Sequence, residues 1–503
     1  MNRSTVLIAT AGACFSLLFA HGASAAGEPL LIENVTLLSP ERPQPLGNRY
    51  VLIRAGRIVA VSDQAIATPA GARRLDGTGK FLTPGLTDAH VHVSQAIGLT
   101  FGSNDPALAQ LEKDFFVQQP RSYLYFGVTQ LLDPSNLPEK VAEFAAQKQH
   151  PDIYRCGAAP VVDGYPLLFI DKAIRHTIFA DYIFEPANAR EHPLPAGANA
   201  AEHTPEAVVD RIAASGALCV KVFLEDGFGD RTDWPMMSAD TLRRVRAAAK
   251  KHGLLVAAHA NALDMQRMAV AGNVDIIMHG LWNWNALEGE RGMPAAIAAH
   301  LRSIHDQKIG YEATLRVLPG VTELLDPAVL EDPVYAKVVP PALLKWYHTE
   351  PAQWFKREVF GPNVNAAEVV SGIRTANQQW ATSERGMRAL RYLYELGQPM
   401  LLGSDTPSAP TYGNQPGYDT FKEMRTMAQA GIPLSAIFAA GTINNARQLG
   451  LDKDYGTIEP GKIANLLLLD ANPLADVQAW TTIDQVILRG EPIDRESLAA
   501  DAK

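Results

Sequence analysis

The chain of 503 residues has only three cysteines, no block of Lys and Arg, and, after its first 25 positions, no apolar run long enough for a transmembrane helix. Each scarcity excludes a class. Three cysteines cannot build a disulfide scaffold. A formal net charge of −9 without a basic cluster argues against nucleic acid as a partner, because neutralising phosphates requires a basic surface. There is no Gly-rich phosphate loop, no Ser/His nucleophile elbow and no zinc-ribbon Cys spacing, so those chemistries have no foothold. What the chain does have is 47% hydrophobic and 20% charged residues. That composition buries a large core, and the length predicts two or three domains.

The N-terminus combines Arg3, an apolar stretch over 6–20 and the small-residue pattern Ala23-Ser24-Ala25. This reads as a secretory signal peptide over 1–25, cleaved near Ala25. The stretch, interrupted by Thr10, is short for a bilayer core of about 30 Å, which takes about 20 residues. Cys14 sits within it, but the leucine usual in a lipoprotein signal is missing. The expectation is a secreted or periplasmic enzyme with no membrane contact after cleavage.

Two textures follow. Residues 31–37, 49–54 and 56–60 alternate as short strands, with a turn at Ala55-Gly56, and similar β segments return at 456–458, 464–470 and 483–489. They predict one small β-sandwich built from both ends, 26–84 and 451–503. Between them, apolar runs at 86–93, 128–132, 153–158, 217–223, 254–259, 274–278, 309–315 and 400–403 alternate with helical stretches. Eight such units predict an α/β fold, a (β/α)8 TIM barrel over 85–450, with outer helices at 239–251 and 384–395. A plain barrel needs about 250 residues, so insertions are required. The largest, 319–381, carries Tyr335, Trp346, Tyr347, Trp354, Phe355 and Trp380 and is expected to be lid-like, most of these aromatics forming its own core.

In Pro84-Gly85-Leu86-Thr87-Asp88-Ala89-His90-Val91-His92, strand alternation sends Asp88, His90 and His92 to one side. The two imidazoles can share a metal, or they can be packing residues. What favours a metal is that His259, His279 and Asp405 each fall where an apolar run meets its following loop, the end of a barrel at which catalytic groups gather. This nitrogen and oxygen ligand set suits zinc, with manganese, iron or cobalt as substitutes. Asp88 is expected either to orient a ligand or to make an ordinary strand-end hydrogen bond. Cys219 is expected to be a small buried apolar residue without a disulfide to Cys156, because adjacent barrel strands rarely need such a link.

These motifs, in this order, together with the closing Gly456-x-Ile458-x-x-Gly461-Lys462-x-Ala464 segment, resemble the metal-dependent amidohydrolase superfamily, and within it an exported member of the imidazolonepropionase and prolidase-like branch. Asn465 departs from the Asp usual there. The resemblance covers nearly the whole mature chain. It implies two divalent metal ions, zinc foremost, with one zinc or iron as the alternative. By it, Lys221 is carboxylated and bridges the metals; His90, His92, Lys221 and Asp405 hold the first ion, and Lys221, His259 and His279 the second. A bridging hydroxide is the nucleophile, and Asp405 is the general base and then acid, with His279 the other catalytic residue. The alternative for Lys221 is a salt bridge to Asp405 in a one-metal site.

The substrate implied by the resemblance is a small-molecule amide or peptide, namely a dipeptide, N-acyl amino acid or cyclic amide, aromatic or apolar in character. Arg316 is the candidate cation for a substrate carboxylate, and Tyr165, Trp282 and Trp284 are candidates to line an apolar pocket. The rivals are a mononuclear cyclic-amide hydrolase or deaminase, a lactonase or phosphotriesterase-like enzyme on the same metals, and, more remotely, a non-catalytic barrel scaffold. A homo-oligomer is compatible with all of them.

Overall fold

The computed structural model describes residues 28–100, 105–228, 231–361 and 378–502. The expected export signal and residues 362–377 of the expected lid lie outside them. Five strands open the described chain: β1 (Leu30–Leu37), β2 (Leu46–Arg54), β3 (Arg57–Ser62), β4 (Arg73–Asp76) and β5 (Phe81–Pro84). Seven follow: β6 (Leu86–Asp88), β7 (Val128–Asp133), β8 (Asp152–Ala158), β9 (Cys219–Phe223), β10 (Leu255–His259), β11 (Ile276–Met278) and β12 (Gly310–Glu312). Three more close it: β13 (Leu466–Leu469), β14 (Ile483–Leu488) and β15 (Glu491–Asp494).

Strands β6 to β12 form a curled parallel sheet in chain order. Strands β9 and β11 are buried on both faces, which is why they read as nearly unbroken apolar runs. Alternation splits β9: Val220 and Val222 join the large core shared with the helices, whereas Cys219 joins Cys156, Ala257, Ile276 and Met278 in a separate buried cluster. The helix over Ala239–His252 is positioned by Ser238, whose side chain accepts from Thr241 N, and stopped by Gly253 at φ 69°.

The eighth expected run is extended but carries no named strand. Leu402 O accepts from Ala89 N at 2.9 Å, and Thr406 O accepts from His92 N at 2.9 Å. The Asn445 side chain takes up the neighbouring groups, accepting from Leu402 N and donating to Leu402 O and Thr87 O. A carboxamide thus stands in where a ladder bond would otherwise run.

Both ends of the chain do contribute to one β unit, but the pairing records a single mixed sheet in the order β15-β14-β13-β5-β1-β2-β3, with β4 on β1, where the sequence predicted a sandwich. Strand β5 makes the difference. It pairs parallel with β1 and antiparallel with β13, joining the two ends into one ladder. The β2–β3 hairpin turns through Ala55 and Gly56, both at positive φ, as the twist of a two-residue hairpin requires.

Of the lid-like insertion, the described part is a set of short helices, including Val317–Thr322, Pro341–Tyr347 and Trp354–Phe360. Its aromatics do not close on themselves alone. Tyr347 OH donates to Ile97 O, Trp354 Nε1 to Gly98 O, and Tyr335 OH to Tyr412 O, anchoring the segment to other loops.

The cysteine expectation is corrected. Cys156 and Cys219 sit opposite each other in the β8–β9 register, with Cα atoms 4.3 Å apart, and are disulfide-bonded. Parallel pairing brought two inward-facing residues into the one position where a bridge can form.

Candidate active site

Asp88 is fully buried where β6 ends. Its Oδ1 accepts from His90 N at 3.2 Å and from Ser404 N at 3.0 Å, and its Oδ2 accepts from Thr420 Oγ1 at 2.6 Å. Asp88 therefore acts on backbone and on a hydroxyl rather than on an imidazole, tying the end of β6 and His90 to the segment that carries Asp405. Burial pushes its carboxyl up to about 6 against these hydrogen bonds.

The result is a convergence. Asp405 Oδ1 lies 3.0 Å from His90 Nε2 and 2.9 Å from His92 Nε2. Gly403 permits the approach, because a Cβ there would stand 2.9 Å from His90 Cβ and 3.2 Å from Glu312 Oε2. Asp405 at φ 60°, His279 at φ 91° and Thr314 at φ 39° all occupy the left-handed region, where non-glycine residues are strained. Strain clustered at convergent polar groups marks a functional constraint.

His279 follows β11, and its Nδ1 lies 3.0 Å from Thr314 Oγ1, which leaves Nε2 for another partner. The ring of His259 lies 4.3 Å from that of His279. His259 Nε2 contacts Glu225 Oε2 at 3.0 Å, and Asn261 Nδ2 donates to the same oxygen at 2.7 Å. Glu225 is a residue that sequence reasoning missed; its one signal was a carboxylate directly after the apolar run of β9.

Lys221 is buried on β9, with Nζ 3.0 Å from Met278 Sδ. Burial lowers its amine to about 8, with Asp405, Glu312 and Asp133 pulling the other way. Glu312, at the end of β12, is fully buried and was also missed. It lay unremarked inside an expected strand, and burial raises its carboxyl well above the usual range despite Lys221.

Burial lowers His90 to about 3 and His279 far below its ordinary value, so both present lone pairs at neutral pH. Burial also disfavours a charge on Asp405, but the rings of His90, His92 and His279 outweigh it and hold the carboxyl well below the usual range. His92 differs. Burial opposes its charge, yet Asp133 and Asp405 push it up to about 10. Single ligand atoms of His90, His279 and Asp405 lie within 4.8 Å of one another. Two neutral imidazoles and a carboxylate so gathered, with His92 on the same oxygen, fit a divalent metal ion.

The candidate substrate contacts separate. Tyr165 lies with its ring 4.7 Å from that of His259, and Trp282 with its ring 5.3 Å from that of His279. Trp284 is fully buried in the large core, with Nε1 donating to Leu281 O. Arg316 is already paired, at 2.6 Å to Glu323 and 3.4 Å to Asp419. Its charge is spent on these two carboxylates, and nothing singles it out for a third.

A curled parallel sheet thus brings together a strained His279 and Asp405 with His90, a donor set compatible with a divalent metal. The model of the amidohydrolase family matches residues 81–493, and the chain belongs to that family. An allantoinase from Streptomyces avermitilis is 33% identical over 140 residues, which are 26% of this chain and 28% of that protein, so the chain matches under a third of that relative's length. Among solved structures, molinate hydrolase superposes with a TM-score of 0.65 at 20% identity, covering 94% of this chain and 96% of that one. A Xaa-Pro dipeptidase gives 0.63 at 18%, covering 93% and 100%. At these identities the likeness establishes the fold. Among the described residues no helix is long and apolar enough to cross a membrane.

Proposed function

We propose that this protein is an exported, metal-dependent hydrolase that cleaves the C–N bond of a dipeptide, N-acyl amino acid or cyclic amide. The observation that carries the reading is the placement of both His90 Nε2 and His92 Nε2 within 3.0 Å of Asp405 Oδ1. His90, His92, Lys221 and Asp405 would hold one ion, and Lys221, His259 and His279 would hold a second, with Lys221 as its carbamate. A buried amine lowered to about 8 keeps a neutral fraction able to take up carbon dioxide, which supports that modification. Divalent ions there supply Lewis acidity, activating water near neutral pH and polarising the substrate carbonyl. Asp405, ionised at neutral pH, accepts the water's proton and delivers it to the leaving nitrogen. His279, fixed through Thr314, aims its second ring nitrogen at the same centre.

Closure of the fold into an eight-unit barrel through the 400–403 segment, a β domain from 26–84 and 451–503, and a lid role for 319–381 belong to the same reading. A buried disulfide suits an oxidising compartment and supports export. One observation favours a second reading, a one-metal site: Glu312 and Asp405 both act on Lys221 and would pair with it as an ammonium. Metal analysis followed by a dipeptide and N-acyl amino acid panel tests both. Two ions per chain with amide hydrolysis supports the first reading and one ion the second, whereas a metal-loaded protein inert toward every amide overturns both.

A further inference from the structure

Five aromatic side chains from two adjacent strand-to-loop segments gather beside the candidate site. Tyr165 and Phe169 follow β8, Phe223 ends β9, and Phe228 and Trp234 follow β9. Tyr165 and Trp234 stack 3° from parallel with centroids 6.1 Å apart, and Phe169 and Phe228 stack at 15° and 6.3 Å. The pairs meet edge to face: Phe169 stands at 90° to Tyr165 and to Trp234, and Phe228 stands at 75° to Trp234. Edge-to-face and offset contacts of this kind fix ring positions.

The cluster is continuous with the reactive centre. The Tyr165 ring lies 4.7 Å and the Phe223 ring 6.3 Å from that of His259, which is itself 4.3 Å from His279. On its other side the cluster meets solvent, with Phe169 62% and Phe228 48% exposed. Leaving two phenyl rings in water forfeits the gain of burying them, and exposed apolar groups clustered at a site mark recognition. Among the described residues, two cations lie over these rings. Arg231, 5.8 Å over Trp234, is paired with Asp233, and Lys221, 5.8 Å from Phe223, belongs to the ligand cluster. Five rings with no free charge among them select an apolar planar group.

We infer that an aryl group of the substrate docks against Tyr165, Phe169, Phe223, Phe228 and Trp234, making this an aryl-amide hydrolase. The inference rests on the hydrolase reading of the adjacent site. The rings set which amide is held, and the His and Asp cluster does the chemistry.

The test compares N-benzoylglycine with N-acetylglycine, and N-acetylphenylalanine with N-acetylalanine, in the metal-loaded wild type and in a Phe169→Ala, Phe228→Ala double variant. Both substituted rings are largely exposed, so the variant is expected to fold, with circular dichroism as the check. In the wild type at least one aryl member should exceed its alkyl partner tenfold or more in kcat/KM. In the variant that ratio should fall at least fivefold, through KM. Binding of benzamide and acetamide, followed by calorimetry, reads the subsite without turnover: benzamide should bind at least tenfold tighter, and the double variant should lose the difference. Equal binding of the two amides, or equal kcat/KM within both pairs, overturns the aryl subsite even if amides are hydrolysed. Preferential benzamide binding without hydrolysis of any amide supports the subsite and overturns the hydrolase reading instead.

Discussion

Glu312 Oε2 lies 3.4 Å from His90 Nδ1, and among the described residues neither atom has a hydrogen-bond partner. Two orphaned polar atoms facing each other in a fully buried place are costly unless their positions serve something else. A histidine that ligates a metal through one ring nitrogen is commonly oriented through the other, often by a carboxylate. Glu312 is placed to do this for His90, whose Nε2 faces Asp405.

Replacing Glu312 by Ala should therefore weaken metal binding by about 10- to 100-fold, the usual cost of losing an orienting partner. Glu312→Gln, which keeps the shape and one acceptor, should lose less. Competition against a chelator measures both, and an unchanged affinity in the Ala variant would show that Glu312 does not orient His90.

Asp405→Asn should lower turnover by about 10²- to 10⁴-fold, because the amide cannot take the proton of the attacking water. Much of the metal should stay bound through the histidines. Elemental analysis beside kinetics separates the two effects, and near-normal turnover would remove Asp405 from the proton-transfer role.

Metal uptake should release a proton. In the metal-free protein His92 is pushed up to about 10, burial notwithstanding, by Asp133 and Asp405, so it carries a proton at neutral pH. His90, lowered to about 3, and Asp405, held well below its usual range, carry none. Displacing the His92 proton gains about tenfold in apparent affinity for each unit of rising pH until His92 deprotonates near pH 10, beside any protons that carbamate formation takes from Lys221. Calorimetry in buffers of different ionisation enthalpy counts the proton directly. Affinity independent of pH between 6 and 9 would mean that His92 is not a ligand.

The disulfide closes a chain separation of 63 residues. On the loop-entropy account a bridge of that span stabilises by about 4 kcal/mol. A Cys156→Ala, Cys219→Ala variant should show a lower denaturation midpoint. In the native wild type, where both cysteines are fully buried, mild reductant should release no thiol until the chain unfolds. Prompt thiol titration under native conditions would contradict the buried placement.

Some of this was legible because it depends on local periodicity. Period-two alternation puts His90 and His92 on one side, and the apolar runs of β9 and β11 are nearly continuous because both faces are covered. Helix Ala239–His252 announced itself through Ser238 and Gly253. The short β6, ending at Asp88 rather than at 93, was not legible, because beyond Asp88 side chains and the 402–406 segment take over its hydrogen bonds.

The sequence by itself determined which residues alternate toward the inside of each strand and where each apolar run hands over to a loop, since both follow from backbone geometry within a few residues. Tertiary structure alone decided what those residues meet. Register between β8 and β9 paired Cys156 with Cys219, helix packing gave Arg316 to Asp419, and tertiary packing set the orphaned Glu312 beside His90. Partners this far apart in the chain are chosen by how strands and helices pack and not by any local preference. Five aromatic rings drawn from the end of β9 and the two segments after β8 and β9 became one surface for the same reason.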